Sequence, residues 1–257
     1  MSPIFSRRDR LQNLPDITVT DLKTDSVPAE MFRTLRTNVQ FALVDKERAA
    51  IIVTSPLAEE GKTLVSSHLG LAFARAGKRV FVVDADFRHP SLHRYFGVSN
   101  DVGLAEVLLG DVELSDALKK VQVEEDPPTT MYVLTTGRRP PNPAELLGSR
   151  RMAVTLTALK DVAELVIVDC PPIVPVTDAG VLAPAVDGTL IVAASSITRR
   201  HALQRAVDLL QKTGTNILGV VLNFVSGSDS AGYYYAYPYP KASAPPPPST
   251  PTPERIA

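Results

Sequence analysis

Short apolar runs rich in valine and isoleucine recur along this chain, each separated from the next by a stretch of helical periodicity. AIIVTS (50–55), RVFVVD (79–84), MYVLTT (131–136), LVIVDC (165–170), GTLIVAA (188–194) and ILGVVLNFV (217–225) read as strands. Residues 62–76, 150–160 and 198–211 read as the helices between them, with a short helix near 104–109. Strands without polar alternation are buried on both faces, which is the pattern of a parallel sheet layered between helices. The expected fold is therefore α/β: a doubly wound, mostly parallel sheet with helices on both faces.

At about 150 residues to a typical domain, the 257 residues admit one large domain or two small ones. Pro28 suits a first helical turn, and Met31, Phe32, Leu35, Val39 and Ala42 follow at helical spacing, so a helix is expected from Pro28 to about Val44. Residues 1–27 lack periodicity and are expected to form an N-terminal arm, residues 28–225 the domain, and residues 226–257 a flexible tail. Five of the 7 tyrosines (Tyr233, Tyr234, Tyr235, Tyr237 and Tyr239) crowd into that tail, as do 8 of the 22 prolines. With 27 basic and 28 acidic side chains there is no electrostatic pull toward nucleic acid. No apolar run approaches the roughly 18 residues of a membrane span, and the start lacks a secretory signal, so a cytoplasmic protein is expected. The lone Cys170 excludes an intrachain disulfide framework.

The first strand runs into Pro56-Leu57-Ala58-Glu59-Glu60-Gly61-Lys62-Thr63 and then a helix. Strand, tight loop, Gly-Lys-Thr and helix form a phosphate loop: Glu60, Gly61, Lys62, Thr63 and Leu64 line the phosphates, Lys62 bridges the outer ones, and the Thr63 hydroxyl is a magnesium ligand. A bare Gly-Lys-Thr is equally compatible with a helix N-terminus carrying an incidental lysine. Two carboxylate motifs tilt the balance, because Asp84 and Asp86 follow the second strand and Asp169 ends a later one. In parallel sheets the carboxyl ends of the strands converge on the ligand. The fold is thus expected to be of P-loop NTPase type, with ATP and magnesium as cofactors and Asp86 and Asp169 beside Thr63 at the metal.

Phosphoryl transfer needs a nucleophile and a group that takes its proton. A tyrosine hydroxyl, with pKa about 10, needs a base at neutral pH, and Asp84 is the candidate. The tail tyrosines are candidate acceptors, although an aromatic run in a tail can equally be an adhesive binding segment.

At these residues the sequence resembles the bacterial tyrosine kinases (BY-kinases) of capsular and exopolysaccharide synthesis. The likeness runs from about Ala29 to Tyr239 and rests on segments in the family's order. Glu30-Met31-Phe32-Arg33-Thr34-Leu35-Arg36 is similar to the family's oligomerisation motif, and Val82-Val83-Asp84-Ala85-Asp86-Phe87-Arg88 to its second Walker segment. Pro140-Pro141-Asn142-Pro143-Ala144-Glu145-Leu146-Leu147, the Walker B segment Val166-Ile167-Val168-Asp169-Cys170-Pro171-Pro172 and the tyrosine cluster complete it. The resemblance implies a magnesium- and ATP-dependent tyrosine autokinase with Lys62, Asp84 and Asp86 as catalytic residues and Asn223 near the adenine. It implies phosphorylation of the five tail tyrosines, between subunits of a ring built through Glu30, Arg33 and Arg36. It further implies a separate transmembrane activator that recruits the protein to the inner face of the membrane, and a cognate phosphotyrosine phosphatase. Without the resemblance, Glu30 and Arg33 read first as a solvated helical pair worth a few tenths of a kcal/mol.

Where the family usually has Pro-Gly-Glu-Gly-Lys, this chain has Ala58 and Glu59 in the first two places. Glu59 stiffens a loop that must wrap phosphates and adds a like charge, so nucleotide affinity is expected to suffer unless that side chain turns to solvent. A positioning ATPase of Min/Par type would carry a lysine at Leu57. A catalytically weak assembly scaffold is the other alternative, with Glu59 as its support. His89 and His93 flank Pro90 without a third metal ligand.

Overall fold

The computed structural model describes residues 27–124, 129–195 and 197–225. The first helix, α1 (Val27–Ala42), precedes the alternating elements β1 (Ala49–Thr54), α2 (Lys62–Arg75), β2 (Val80–Asp84), α3 (Leu92–Tyr95), α4 (Leu104–Leu109), α5 (Leu114–Ala117), β3 (Lys119–Glu124) and β4 (Thr129–Leu134). After these come α6 (Pro143–Leu147), α7 (Arg150–Val162), β5 (Leu165–Asp169), α8 (Asp178–Leu182), a 3-10 turn (Ala183–Ala185), β6 (Gly188–Ala194), α9 (Arg200–Gln211) and β7 (Ile217–Asn223). The compact unit ends at Asn223; of the remainder only Phe224 and Val225 are described.

Seven strands form one sheet in the order β3-β4-β2-β5-β1-β6-β7. Every pairing is parallel except β3 with β4. β1, β2, β5 and β6 are buried along their whole length, as expected for strands covered on both faces. Side chains alternate across the sheet: Ala50, Ile52 and Val83 pack on the face covered by α4, α7 and α9, whereas Ile51, Val53 and Val82 pack on the face covered by α1 and α2. The doubly wound, mostly parallel architecture read from the sequence is what forms.

β3 escaped the sequence reading. Lys119-Lys120-Val121-Gln122-Val123 alternates polar with apolar residues, the mark of an edge strand with one wet side, so its signal is weaker than that of the continuous runs. The N-terminal arm up to Ser26 and the tail from Ser226, with its tyrosines, lie outside the described residues. Among the described residues no helix is long and apolar enough to cross a membrane.

α2 carries the phosphate-loop residues and is buried around nearly its whole circumference. Gly70 makes its approach to the sheet possible, since a Cβ there would lie 2.7 Å from Val82 Cγ2 and 3.3 Å from Met131 Cε. Gly70→Val is therefore expected to lever α2 off β2 at a cost of about 1–3 kcal/mol. Thermal unfolding should report a melting temperature lower by about 3–10 °C; an unchanged value would show that α2 tolerates the displacement.

Candidate functional site

Three strands end side by side at the carboxyl edge of the sheet, with β5 between β2 and β1, and this register brings the sequence motifs together. Asp84 at the end of β2 pairs in register with Asp169 at the end of β5. Asp169 is in turn opposite Val53 of β1, two residues before the loop that leads to α2. Asp84 and Asp169 are fully buried, and Asp86 very nearly so.

The loop is closed by its own side chains. Ser55 Oγ donates to the Leu57 carbonyl at 2.6 Å, and the Glu60 carboxylate accepts the Leu57 N–H at 2.7 Å. Glu60 also accepts the Thr198 hydroxyl, and that hydroxyl in turn accepts the Ala194 N–H at 2.7 Å. Burial raises the Glu60 pKa, opposed by these donors. Gly61 sits at φ 87°, a conformation natural to glycine, and starts α2 without any side-chain cap. The first helical bond runs from Val65 N–H to the Gly61 carbonyl. The N–H groups of Lys62, Thr63 and Leu64 precede it and have no acceptor in the helix, an arrangement that suits phosphate oxygens.

Behind the loop, Thr63 Oγ1 donates to Asp169 Oδ2 at 2.6 Å, and Ser66, one turn on, donates to Asp169 Oδ1 at 3.2 Å. Lys62 Nζ meets Asp86 Oδ2 at 2.8 Å. Asp86 Oδ1 accepts the N–H groups of Arg88 and His89 at 3.2 and 2.9 Å. Asp84 accepts three backbone N–H groups, from Asp86, Ser91 and Leu92, at 3.0–3.1 Å. The Arg88 guanidinium forms a fork with the buried Asp178 carboxylate, at 2.9 and 3.1 Å, and so fastens the β2–α3 connection to the first turn of α8.

The charges do not balance. Burial and then Asp169 push the Asp84 carboxyl upward, against its three N–H donors. Asp169 is also raised, by burial, against the pull of Lys62 and the Thr63 hydroxyl. Burial disfavours the Lys62 charge, but the charges of Asp169, Asp86 and Asp84 and the hydrogen bond to Asp86 outweigh that and hold its pKa above the ordinary value. Three carboxylates thus share one ammonium, which sits on buried Asp86 Oδ2. Among the described residues no group of three or more His, Cys, Asp or Glu side chains could hold a metal on its own. What the pocket offers is one or two hard oxygens and a deficit of positive charge, the protein's usual share when phosphate and water complete the shell of magnesium.

The chain matches the CobQ/CobB/MinD/ParA nucleotide binding domain family over residues 51–237. It is 34% identical to tyrosine-protein kinase YwqD of Bacillus subtilis over 89% of this chain and 95% of YwqD. It is 37% identical to tyrosine-protein kinase Etk of Escherichia coli over 89% of this chain but only 31% of Etk. The chain belongs to the bacterial tyrosine kinases. The fold of this kinase superposes on the crystal structure of the chimerical protein CapA2B2 with a TM-score of 0.74, at 33% identity, over 79% of this chain and 88% of the other.

Other residues named from the sequence of the kinase fall as follows. Asn223 ends β7 beside the loop, where its Nδ2 donates to the Glu60 carbonyl at 3.1 Å. The Leu64 side chain packs toward the core, leaving its first-turn N–H as the group available to a ligand. On α1, Arg33 Nε meets Glu30 Oε2 at 2.6 Å, both half exposed, and Arg36 Nη1 reaches the Ala72 carbonyl of α2 at 3.4 Å. Partners of the motif residues that went unnamed are Ser66, Ser91, Asp178 and Thr198. Ser66 lies three residues beyond Thr63 on one helix face and could have been read from that spacing. Ser91 and Thr198 reach the site only through the fold.

Glu59 occupies the loop at φ 65°, a left-handed conformation that costs a side-chain-bearing residue about 1–2 kcal/mol, and its side chain is exposed. Its exposure to solvent is the alternative foreseen for this residue. Glu59→Gly should tighten ADP binding by about two- to fivefold, and Glu59→Gln, which removes the charge alone, by less than about twofold. Calorimetric titration of the two variants decides this; unchanged or weaker binding by Glu59→Gly would refute it.

Proposed function

We propose that this tyrosine kinase uses ATP and magnesium to phosphorylate its own C-terminal tyrosines, between subunits of a ring, and thereby regulates capsular or exopolysaccharide synthesis and export. The observation that carries the reading is the charge-deficient pocket: Lys62, Asp84, Asp86 and Asp169 converge beside an uncapped helix N-terminus. In this reading residues 28–225 are the kinase domain, residues 1–27 an arm and residues 226–257 the substrate tail.

Lys62 and the first-turn N–H groups of α2 hold the phosphates, and Asn223 lies toward the base of the nucleotide. Thr63, Asp86 and Asp169 hold magnesium, which supplies charge neutralisation at the transferring phosphoryl group. Asp84 accepts the phenolic proton. Its burial narrows the gap to a tyrosine of pKa about 10, and the N–H donors keep it from rotating. Because Asp84 has no exposed surface, the acceptor hydroxyl must itself enter the pocket. Glu30, Arg33 and Arg36 present α1 for assembly of the ring. A transmembrane activator brings the protein to the membrane, and a phosphotyrosine phosphatase resets the tail.

The test is phosphopeptide mapping after incubation with magnesium and ATP. The wild type should carry phosphate on Tyr233, Tyr234, Tyr235, Tyr237 or Tyr239. Lys62→Met should lose at least about a hundredfold in rate, as expected when a principal phosphate contact is removed. A variant with all five tyrosines changed to Phe should carry none in the tail, yet phosphorylate the tail of Lys62→Met when mixed with it. Equal phosphate in wild type, Lys62→Met and the five-Phe variant would sink the assignment, and ATP turnover without phosphotyrosine would favour a positioning ATPase. Changing Arg33 and Arg36 to Ala should reduce both the size in solution and the rate of tail phosphorylation.

A further inference from the structure

Ser91 stands at the N-cap of α3 but does not behave as a cap. A serine in this position ordinarily turns its hydroxyl back to a first-turn N–H of its own helix. Here no such bond forms; the hydroxyl instead crosses to Thr63 Oγ1 at 2.9 Å, in a different helix. Asp84 does the capping from outside, since its Oδ2 accepts the N–H groups of both Ser91 and Leu92. Ser91 is thereby bonded through its backbone to one site carboxylate and through its side chain to the hydroxyl that follows Lys62.

A proton count sets the direction of the second bond. Thr63 has a single hydroxyl proton, and it is directed at Asp169 Oδ2 at 2.6 Å. Ser91 must therefore donate to Thr63. The Thr63 oxygen is then fixed by one bond given and one received, and it keeps one further lone pair. With Thr63 largely buried and its rotamer held from two sides, that lone pair has a defined direction before any ligand arrives.

We propose that Ser91 is a positioning residue of the phosphotransfer site. Its hydroxyl sets the Thr63 rotamer so that the remaining lone pair faces the magnesium position, and its N–H anchors Asp84, which couples the metal ligand to the base. This rests on the reading of Thr63 as a magnesium ligand. A serine that served only to start α3 would have no reason to forgo its own cap for a hydroxyl across the site.

The test measures ADP affinity by calorimetry, with magnesium and again with the metal chelated by EDTA, on the full chain. Wild type should bind ADP more tightly with magnesium. Ser91→Ala should lose about three- to tenfold of that magnesium-dependent tightening, the worth of one hydrogen bond, while its affinity in EDTA stays within about twofold of wild type. Ser91→Thr, which keeps the hydroxyl, should restore the response. Ser91→Cys, which keeps the volume but donates weakly, should behave as Ala does and serves if Ser91→Ala fails to fold. A full magnesium response in Ser91→Ala and Ser91→Cys, or a loss equal in magnesium and in EDTA, overturns the role of Ser91 alone. A wild type whose ADP affinity ignores magnesium overturns the metal reading, and this proposal with it.

Discussion

Asp84, Asp86 and Asp169 share a buried pocket with one ammonium, that of Lys62, and much of the surrounding chain serves to hold that imbalance in place. A carboxylate taken out of water without a counter-charge costs several kcal/mol, so such a cluster persists only where many donors stabilise it. Eight hydrogen bonds and ion pairs do so here: three backbone N–H groups on Asp84, two on Asp86, the Lys62 ammonium, and the hydroxyls of Thr63 and Ser66 on Asp169. These contacts orient the carboxylates but do not neutralise them. The remaining deficit is a standing attraction for a divalent cation, and the uncapped start of α2 next to it is a standing attraction for phosphate.

The loop that presents these groups is braced at one residue and strained at the next. Glu60 is buried and spans from the Leu57 N–H to the Thr198 hydroxyl, which ties the loop to the end of β6. Glu59 takes a positive φ with no glycine to make it comfortable. A rigid neighbour is what allows the strained one to persist, since the loop cannot relax without breaking the Glu60 contacts. The Arg88–Asp178 fork plays a comparable part on the other side, because the Arg88 N–H that orients Asp86 belongs to a residue whose side chain is fastened to α8.

The central strands were legible because burial on both faces leaves continuous Val and Ile runs, and six of the seven strands lie on the runs from which they were read. β3 was not, as its alternating Lys and Val residues mark a half-wet edge. The motif residues were legible for a related reason: a strand that ends in Asp, or in a loop closing on Gly-Lys-Thr, announces itself locally. What could not be read is whatever crosses the fold. Ser91 and Thr198 are ordinary residues in their own segments, and only the sheet order β2-β5-β1-β6 brings them to Thr63 and Glu60. Likewise, two of the three N–H groups on Asp84, those of Ser91 and Leu92, come from a stretch with no sequence pattern, so a carboxylate read simply as a base turns out also to hold α3 in place.

Under the function proposed above, cation and phosphate meet at the charge-deficient pocket. Crystals grown with ADP and manganese, with manganese standing in for magnesium and located by its anomalous scattering, test it most directly. A single strong peak is expected, bonded to the Thr63 hydroxyl on the Asp86 and Asp169 side, with the β-phosphate on the N–H groups that begin α2. Manganese bound elsewhere, or a nucleotide whose phosphates leave Lys62 paired with Asp86 and α2 uncapped, would contradict it.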